Sequence, residues 1–378
     1  MGRRQAGPPI ASSVRRSGDE ALSTLLADSL IMDGGVDRAT HGFHTYPARM
    51  HPDAAAALIA ACPGAVHDPF CGGGTVLVEA MLAGRPSSGT DASPVAVLVA
   101  NARTADKRLT TPMRSAARKI TEAARLRIDV DVPEVAERWY QPHVAQELGR
   151  IRDGIAAADP SVQPLLRALL SSIVVKTSFR KSDTQNRRET HHRAPGTTAI
   201  LFHKKARELG RWLDAMDEGP RPEIILGDAR RDAPSGECGL VLTSPPYPGV
   251  YDYVPMQQLR AAWLDLDLGM GAGVEMGARR AFRAKGRKDA LRQWRTDTHE
   301  WIGRQAQCLA SGGRMVIVVG DGLVGDRMVD ALGPTVESMK AAGLSVVARA
   351  SADRPDHARQ SIRIEHMVMA ERTGRRRP

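Results

Sequence analysis

Cysteine is scarce in this chain, and its spacing suits no bridge. Cys62, Cys71, Cys238 and Cys308 are scattered, with no CxxC pair among them. That pattern speaks against a disulfide framework and a zinc site and points to reduced thiols in a cytoplasm. No apolar run approaches the ~20 residues of a membrane helix, so no membrane partner is expected. The N-terminal arginines lead into no apolar stretch, and nothing there reads as a secretion signal. His51, His191, His192 and His203 fall at no metal-ligand spacing, so no metal site is expected. No internal repeat is evident.

What is present is a globular composition: 378 residues, 42% hydrophobic and 25% charged. That length allows one large domain or two. The net charge is +10, and the excess is concentrated. Arg279, Arg280, Arg283, Lys285, Arg287, Lys288, Arg292 and Arg295 share one segment with a single acid, Asp289. Such a cluster suits phosphate neutralisation, with a solvated helix face as the plain alternative.

The pattern along the chain alternates strands and helices at both ends. An alanine-rich helix is expected over 53–61, beginning after Pro52. A buried strand over 65–69 runs into a glycine turn, followed by a helix over 75–83, a strand over 87–91 and a helix over 95–103. Strand, Gly-rich turn, helix and strand with a terminal acid make one βαβ unit. From 104 to 220 the pattern is helical and charged, with an apolar stretch at 165–175. Strands return at 223–226, 239–242, 314–319, 344–349 and 361–369.

Two short strings carry the chemistry. The first is DPFCGGGT, 68–75. Glycines after a strand let the backbone approach a ligand without Cβ clashes, and the next helix presents free N–H groups. The spacing of Gly72, Gly73 and Gly74 does not fit the GxGxxG of a dinucleotide site. Asp91 lies about twenty residues on at a strand end, where an acid can accept ribose hydroxyls. The second string is TSPPY, 243–247, again straight after an apolar strand. Pro245 and Pro246 fix φ and make a rigid loop, Ser244 offers a hydroxyl acceptor, and Tyr247 offers a flat face for a base.

Together the strings resemble the cofactor and catalytic motifs of S-adenosylmethionine-dependent amino-methyltransferases, most closely the DNA N4-cytosine type. The resemblance covers the motif-bearing parts of 43–101 and 223–370. It implies a doubly wound, Rossmann-like class I methyltransferase sheet with a helical insertion. It places Asp68, Phe70, Gly72, Gly74, Thr75 and Thr243 at the cofactor, with Asp91 on the ribose and Asp228 on the adenine amino group. Tyr46 and Pro47, in FHTYPARMHP, would cover the cofactor from the N-terminal side. Ser244, Pro245, Pro246 and Tyr247 would be catalytic, and Tyr251, Asp252 and Tyr253 would shape the base pocket or support it structurally. Arg279, Arg280, Arg283, Lys285, Arg287 and Lys288 would meet nucleic acid. Double-stranded DNA is the expected partner, RNA stays open, and a cognate restriction nuclease is a partner the resemblance allows.

The expected organisation is a disordered basic N-terminus over 1–18 and the cofactor half of the domain over 19–103. A helical insertion over 104–220, a candidate target-recognition region, separates it from the catalytic half over 221–370, and a basic tail occupies 371–378. The chain departs from many N4-cytosine enzymes in placing the cofactor motif before the catalytic one. It also has no single target-recognition block.

Overall fold

A computed structural model describes residues 14–373 apart from 36–37, 47–48, 127, 186, 325–326 and 357–360. Ten strands occur among the described residues: β1 (Arg15–Gly18), β2 (Val66–Asp68), β3 (Ser87–Asp91), β4 (Glu223–Leu226), β5 (Cys238–Thr243), β6 (Leu309–Gly320), β7 (Gly322–Val324), β8 (Arg327–Val329), β9 (Leu344–Asp356) and β10 (Ser361–Arg372). The helices are α1 (Glu20–Ile31), α2 (Pro52–Ala61), α3 (Thr75–Leu82), α4 (Pro94–Arg103), α5 (Thr110–Ala124), α6 (Val135–Trp139), α7 (Pro142–Ala156), α8 (Gln163–Thr177), α9 (Thr197–Asp214), α10 (Tyr253–Leu264), α11 (Gly269–Val274), α12 (Arg279–Ala284), α13 (Arg287–Ala306) and α14 (Leu332–Ala341). None of these helices is long and apolar enough to cross a membrane.

Eight strands form one sheet in the order β1-β9-β10-β6-β5-β2-β3-β4, and β7 and β8 make a separate hairpin. Strands β4, β3, β2, β5 and β6 are parallel, whereas β10 is antiparallel to both β6 and β9. This is the doubly wound, Rossmann-like class I sheet that the motifs imply. From β2 the order runs out through β3 to β4 on one side and through β5 to β6 on the other. A crevice therefore opens at the carboxyl ends of β2 and β5, where ligands bind in such sheets.

Alternation along the central strands fills both faces. Leu240 and Leu242 of β5 join Val316 and Val318 of β6 in a core under α1 and α2. Val241, Met315, Ile317 and Val319 point the other way, onto Trp301 and Ile302 of α13 and Met339 of α14. Burial on both faces explains why these strands read as continuous apolar runs. Local signals set the helix starts. Ser93 Oγ accepts from the Ala96 N–H at 3.4 Å ahead of Pro94, and Asp19 Oδ1 accepts from the Leu22 N–H at 2.9 Å.

Two boundary expectations need correction. Residues 1–13 lie outside the described residues, but Arg15–Gly18 form an edge strand paired with β9 rather than part of a disordered terminus. Four polar residues show no alternation, and the pairing comes from the sheet. At the other end Glu371 and Arg372 close β10, opposite Ser345 and Leu344; of the expected tail, 374–378 lie outside the described residues.

The helical segment over 104–220 is not a separate body. Its α5, α7, α8 and α9 share one core with Val78 of α3, Ala102 of α4 and Leu259 and Trp263 of α10. It forms the crossover between β3 and β4, and it packs as a helical layer on α3, α4 and α10.

Candidate active site

The glycine turn closes tightly against its neighbours. Gly72 and Gly74 have φ of 49° and 79°. A Cβ on Gly74 would lie 2.9 Å from Ala100 Cβ, and one on Gly72 would lie 3.2 Å from the Tyr46 ring. Glycine at 74 thus lets α3 start against α4, and glycine at 72 lets Tyr46 lie on the turn. Asp91 ties this turn to the end of β3. Its Oδ2 accepts the Gly72 N–H at 2.8 Å and its Oδ1 accepts the Ser93 N–H at 2.9 Å.

These elements line a cavity with about 1120 Å³ of space free of protein atoms, its mouth included. Tyr46, Asp68, Phe70, Gly72, Thr75, Asp91, Asp228, Ser244 and Pro246 all reach it. Of the remaining expected positions, Pro47 lies outside the described residues. Gly74, Pro245 and Thr243 are set back from the cavity wall. Gly74 is turned onto α4, and Thr243 is fully buried beneath the site. Thr243 instead donates through Oγ1 to Asp68 Oδ1 at 2.6 Å.

Burial shapes the carboxyl groups. Desolvation pushes Asp68 up to about 7, against the stabilising bonds from Thr243 and the Phe70 N–H. Asp91 is pushed up to about 6 by the same cause, opposed by the Ser93 and Gly72 N–H groups. Asp228 goes the other way. Although burial opposes it, Arg230 binds both its oxygens at 2.8–3.1 Å and holds it below the usual carboxylate range. Arg230 in turn reaches Asp297 of α13 at 2.6 Å. The expected adenine contact therefore belongs to an ion-paired carboxylate.

A second cavity adjoins the first. Tyr247 and Tyr251 line it with Glu365, Arg354, Gly320 and Asp321. Arg49, Met50 and Ser244 line both cavities. Ser244 thus stands at the junction. Its hydroxyl donates to Tyr247 Oη at 3.5 Å, and Tyr247 Oη donates to Glu365 Oε1 at 2.8 Å. The Tyr247 ring rests on Gly320, where a Cβ would come within 2.6 Å of it. Of the YDY segment, Tyr251 faces this second cavity and Tyr253 the first. Asp252 accepts from Arg279 and from the Arg280 N–H.

The basic segment divides in two. Arg279 and Arg280 are engaged by Asp252 and Glu275, and Arg287 donates to the Met328 carbonyl. Arg283, Lys285, Lys288 and Arg295 are exposed and make no side-chain pair among the described residues. The segment lies beside the loop, because Trp294 of α13 donates to the Pro246 carbonyl.

Sequence reasoning missed three groups around these cavities: Glu365, Gln257 and Arg103. None lies in a motif, and each is brought in by a distant element.

No family model matches the chain, and no curated protein matches it. Solved structures do. It is similar to an S-adenosylmethionine-dependent methyltransferase of Methanosarcina mazei, at 8% identity over 82% of this chain and 92% of that one, TM-score 0.33. It is also similar to magnesium protoporphyrin IX methyltransferase of Synechocystis with bound S-adenosylmethionine, at 9% identity over 85% and 78%, TM-score 0.34. A third is the rRNA methyltransferase aviRa of Streptomyces viridochromogenes, at 12% identity over 87% and 88%, TM-score 0.34. With TM-scores this far below 0.5, these likenesses carry no argument about chemistry, which rests on the chain's own geometry.

Proposed function

We propose that this chain is an S-adenosylmethionine-dependent methyltransferase acting on the exocyclic amino group of a base in DNA, namely N4 of cytosine. The observation that carries the reading is Ser244, a hydroxyl at the junction of a glycine-walled cavity and an aromatic-walled one. The first cavity fits the cofactor. Its turn has glycine where a Cβ would meet Tyr46, Thr75 Oγ1 and Gln257 Nε2 are buried there without partners among the described residues, and Asp91 keeps lone pairs for ribose hydroxyls. When bound, S-adenosylmethionine supplies an electrophilic methyl group.

The chain's own groups address the amino nitrogen. That nitrogen is a poor nucleophile, because its lone pair is delocalised into the ring. Ser244 donates a hydrogen bond to Tyr247, so its lone pairs are turned to an incoming N–H, and Glu365 polarises the chain from behind. Accepting that N–H favours a pyramidal nitrogen. The prolines fix the loop beforehand, so positioning supplies most of the effect. Tyr247 offers its exposed face to the base, and Arg283, Lys285 and Lys288 supply phosphate contacts beside the loop.

Nucleoside mass spectrometry of DNA and RNA from cells expressing the protein, beside a Ser244→Ala control, tests the reading. N4-methylcytosine in DNA that disappears in the control is the expected result. N6-methyladenine would correct the base, modification confined to RNA would correct the substrate, and no modified nucleoside would overturn the proposal.

A further inference from the structure

We propose that Gln257 holds the carboxylate of the cofactor's amino-acid part through its side-chain N–H, an assignment that rests on the cofactor reading above. Gln257 sits on α10, is 1% exposed and lines the first cavity. Arg260, one turn on, donates from Nη1 to Gln257 Oε1 at 3.2 Å. A guanidinium has donors only, so the amide cannot flip. Its Nε2 has no partner among the described residues. A buried donor held in this way at a cavity wall calls for an acceptor from a ligand.

The surrounding charge says which acceptor. Arg103 is fully buried, and among the described residues it has no carboxylate partner; its N–H groups go to the carbonyls of Gly73, His41 and His44. A Cβ on Gly73 would lie 3.0 Å from Arg103 Nη1, so a cation stands directly behind the glycine turn. Arg260 and Arg103 both bear on His44 and lower its affinity for a proton, after burial itself. Arg260 is paired with Asp183 at 2.5 Å, so the Arg103 guanidinium supplies the uncompensated positive charge behind this end of the cavity, whereas Asp68 offers a carboxyl group at the end of β2. A zwitterion needs both signs side by side. The donor-only Gln257 Nε2 belongs to its anionic group, and the Asp68 carboxyl group, whose two bonds both fall on Oδ1, to its ammonium, with Asp91 left to the ribose.

The test compares two ligands. S-adenosylhomocysteine carries the amino-acid part, and 5′-methylthioadenosine keeps the nucleoside and thioether without it. Gln257→Glu preserves an oxygen for Arg260 and replaces the cavity-facing donor by an anionic acceptor. Calorimetry should show affinity for S-adenosylhomocysteine falling at least about tenfold in this variant, with 5′-methylthioadenosine unchanged. Gln257→Met, which removes the donor without adding charge, should show a smaller loss with the same ligand dependence, and it serves if the first variant does not fold. Equal loss for both ligands, or no loss for either, overturns the assignment. A wild-type protein that binds neither ligand overturns the cofactor reading itself.

Discussion

Thr243 at the end of β5 donates to Asp68 at the end of β2, 2.6 Å away across the crevice between the two strands. One hydrogen bond thus joins the two motifs read from the sequence, and it lies beneath the ligand cavity rather than in it. Asp68 also takes the Phe70 N–H on the same oxygen at 3.1 Å, so the bond fixes the start of the glycine turn relative to the TSPPY loop.

Asp68 should make stability depend on pH. Burial raises its folded pKa to about 7, from the ordinary 3.8 of an aspartate. The folded state therefore holds a proton that the unfolded state has released, and the contribution is complete below about pH 4 and lost as pH rises through about 7. Asp91, pushed up to about 6, acts in the same direction over a narrower window. In Asp68→Asn the amide oxygen can keep both bonds to Oδ1, so the fall in melting temperature between about pH 4 and pH 7 should flatten while the fold persists. An unchanged profile in denaturation scans would assign the slope to other groups.

The turn itself predicts a steric cost. Gly74→Ala places a Cβ 2.9 Å from Ala100 Cβ and 3.0 Å from Ala100 Cα, at a φ of 79°. Helix α3 cannot give way without separating from α4. Destabilisation of about 1–3 kcal/mol is expected in chemical denaturation, from positive φ and overpacking together.

Asp91→Ala should weaken binding of S-adenosylhomocysteine by about 1.5–3 kcal/mol, the scale of charge-assisted hydrogen bonds. The same carboxylate anchors the Gly72 and Ser93 N–H groups, so the variant should also lose thermal stability in the absence of ligand. Full affinity by calorimetry would remove Asp91 from the site.

The parts of the molecule legible in the sequence are those whose signal is local. Strand β4 has the ends that its apolar run indicates and β3 ends at its terminal acid, Asp91, and the glycines mark the turn because only positive φ and close approach explain three in succession. Glu365 and Gln257 were not legible. Glu365 lies in a strand that returns antiparallel from the far end of the chain, and it meets Tyr247 only because β10 inserts between β6 and β9. Gln257 looks like an ordinary polar position on a helix until Arg260 and the cavity fix its two ends. Arg103 reads as a helix-terminal cation, although its side chain turns inward to three carbonyls. The basic run was visible as charge, but which cations are engaged by Asp252 and Glu275 depends on the packing of α12 beside the YDY segment.

Tyr247→Phe should separate the ring from its hydroxyl. The phenyl still rests on Gly320, so a stacked base keeps its platform, but Ser244 loses the oxygen it donates to and the link to Glu365. Turnover should fall by about one to two orders of magnitude with little change in DNA affinity, the signature of an interaction that matters mainly in the transition state. Loss of DNA affinity with turnover preserved would make the hydroxyl a binding group.

The division within the basic segment gives the last prediction. Arg283, Lys285, Lys288 and Arg295 are exposed and unpaired among the described residues, so their charge is available to phosphates. Replacing the four by Gln should weaken DNA binding and lower the slope of log affinity against log salt by about 0.9 for each phosphate no longer neutralised. Arg279 and Arg280 already neutralise Asp252 and Glu275. Changing these two to Gln should instead loosen the start of α10, where the Tyr253 N–H is held by Glu275. That change should appear as lower thermal stability with a nearly unchanged salt slope. Both sets can be measured by fluorescence anisotropy on one duplex across a salt series. If the first set leaves the slope unchanged, the segment is a solvated face. If the second set lowers the slope as much as the first, the ion pairs with Asp252 and Glu275 open when DNA binds.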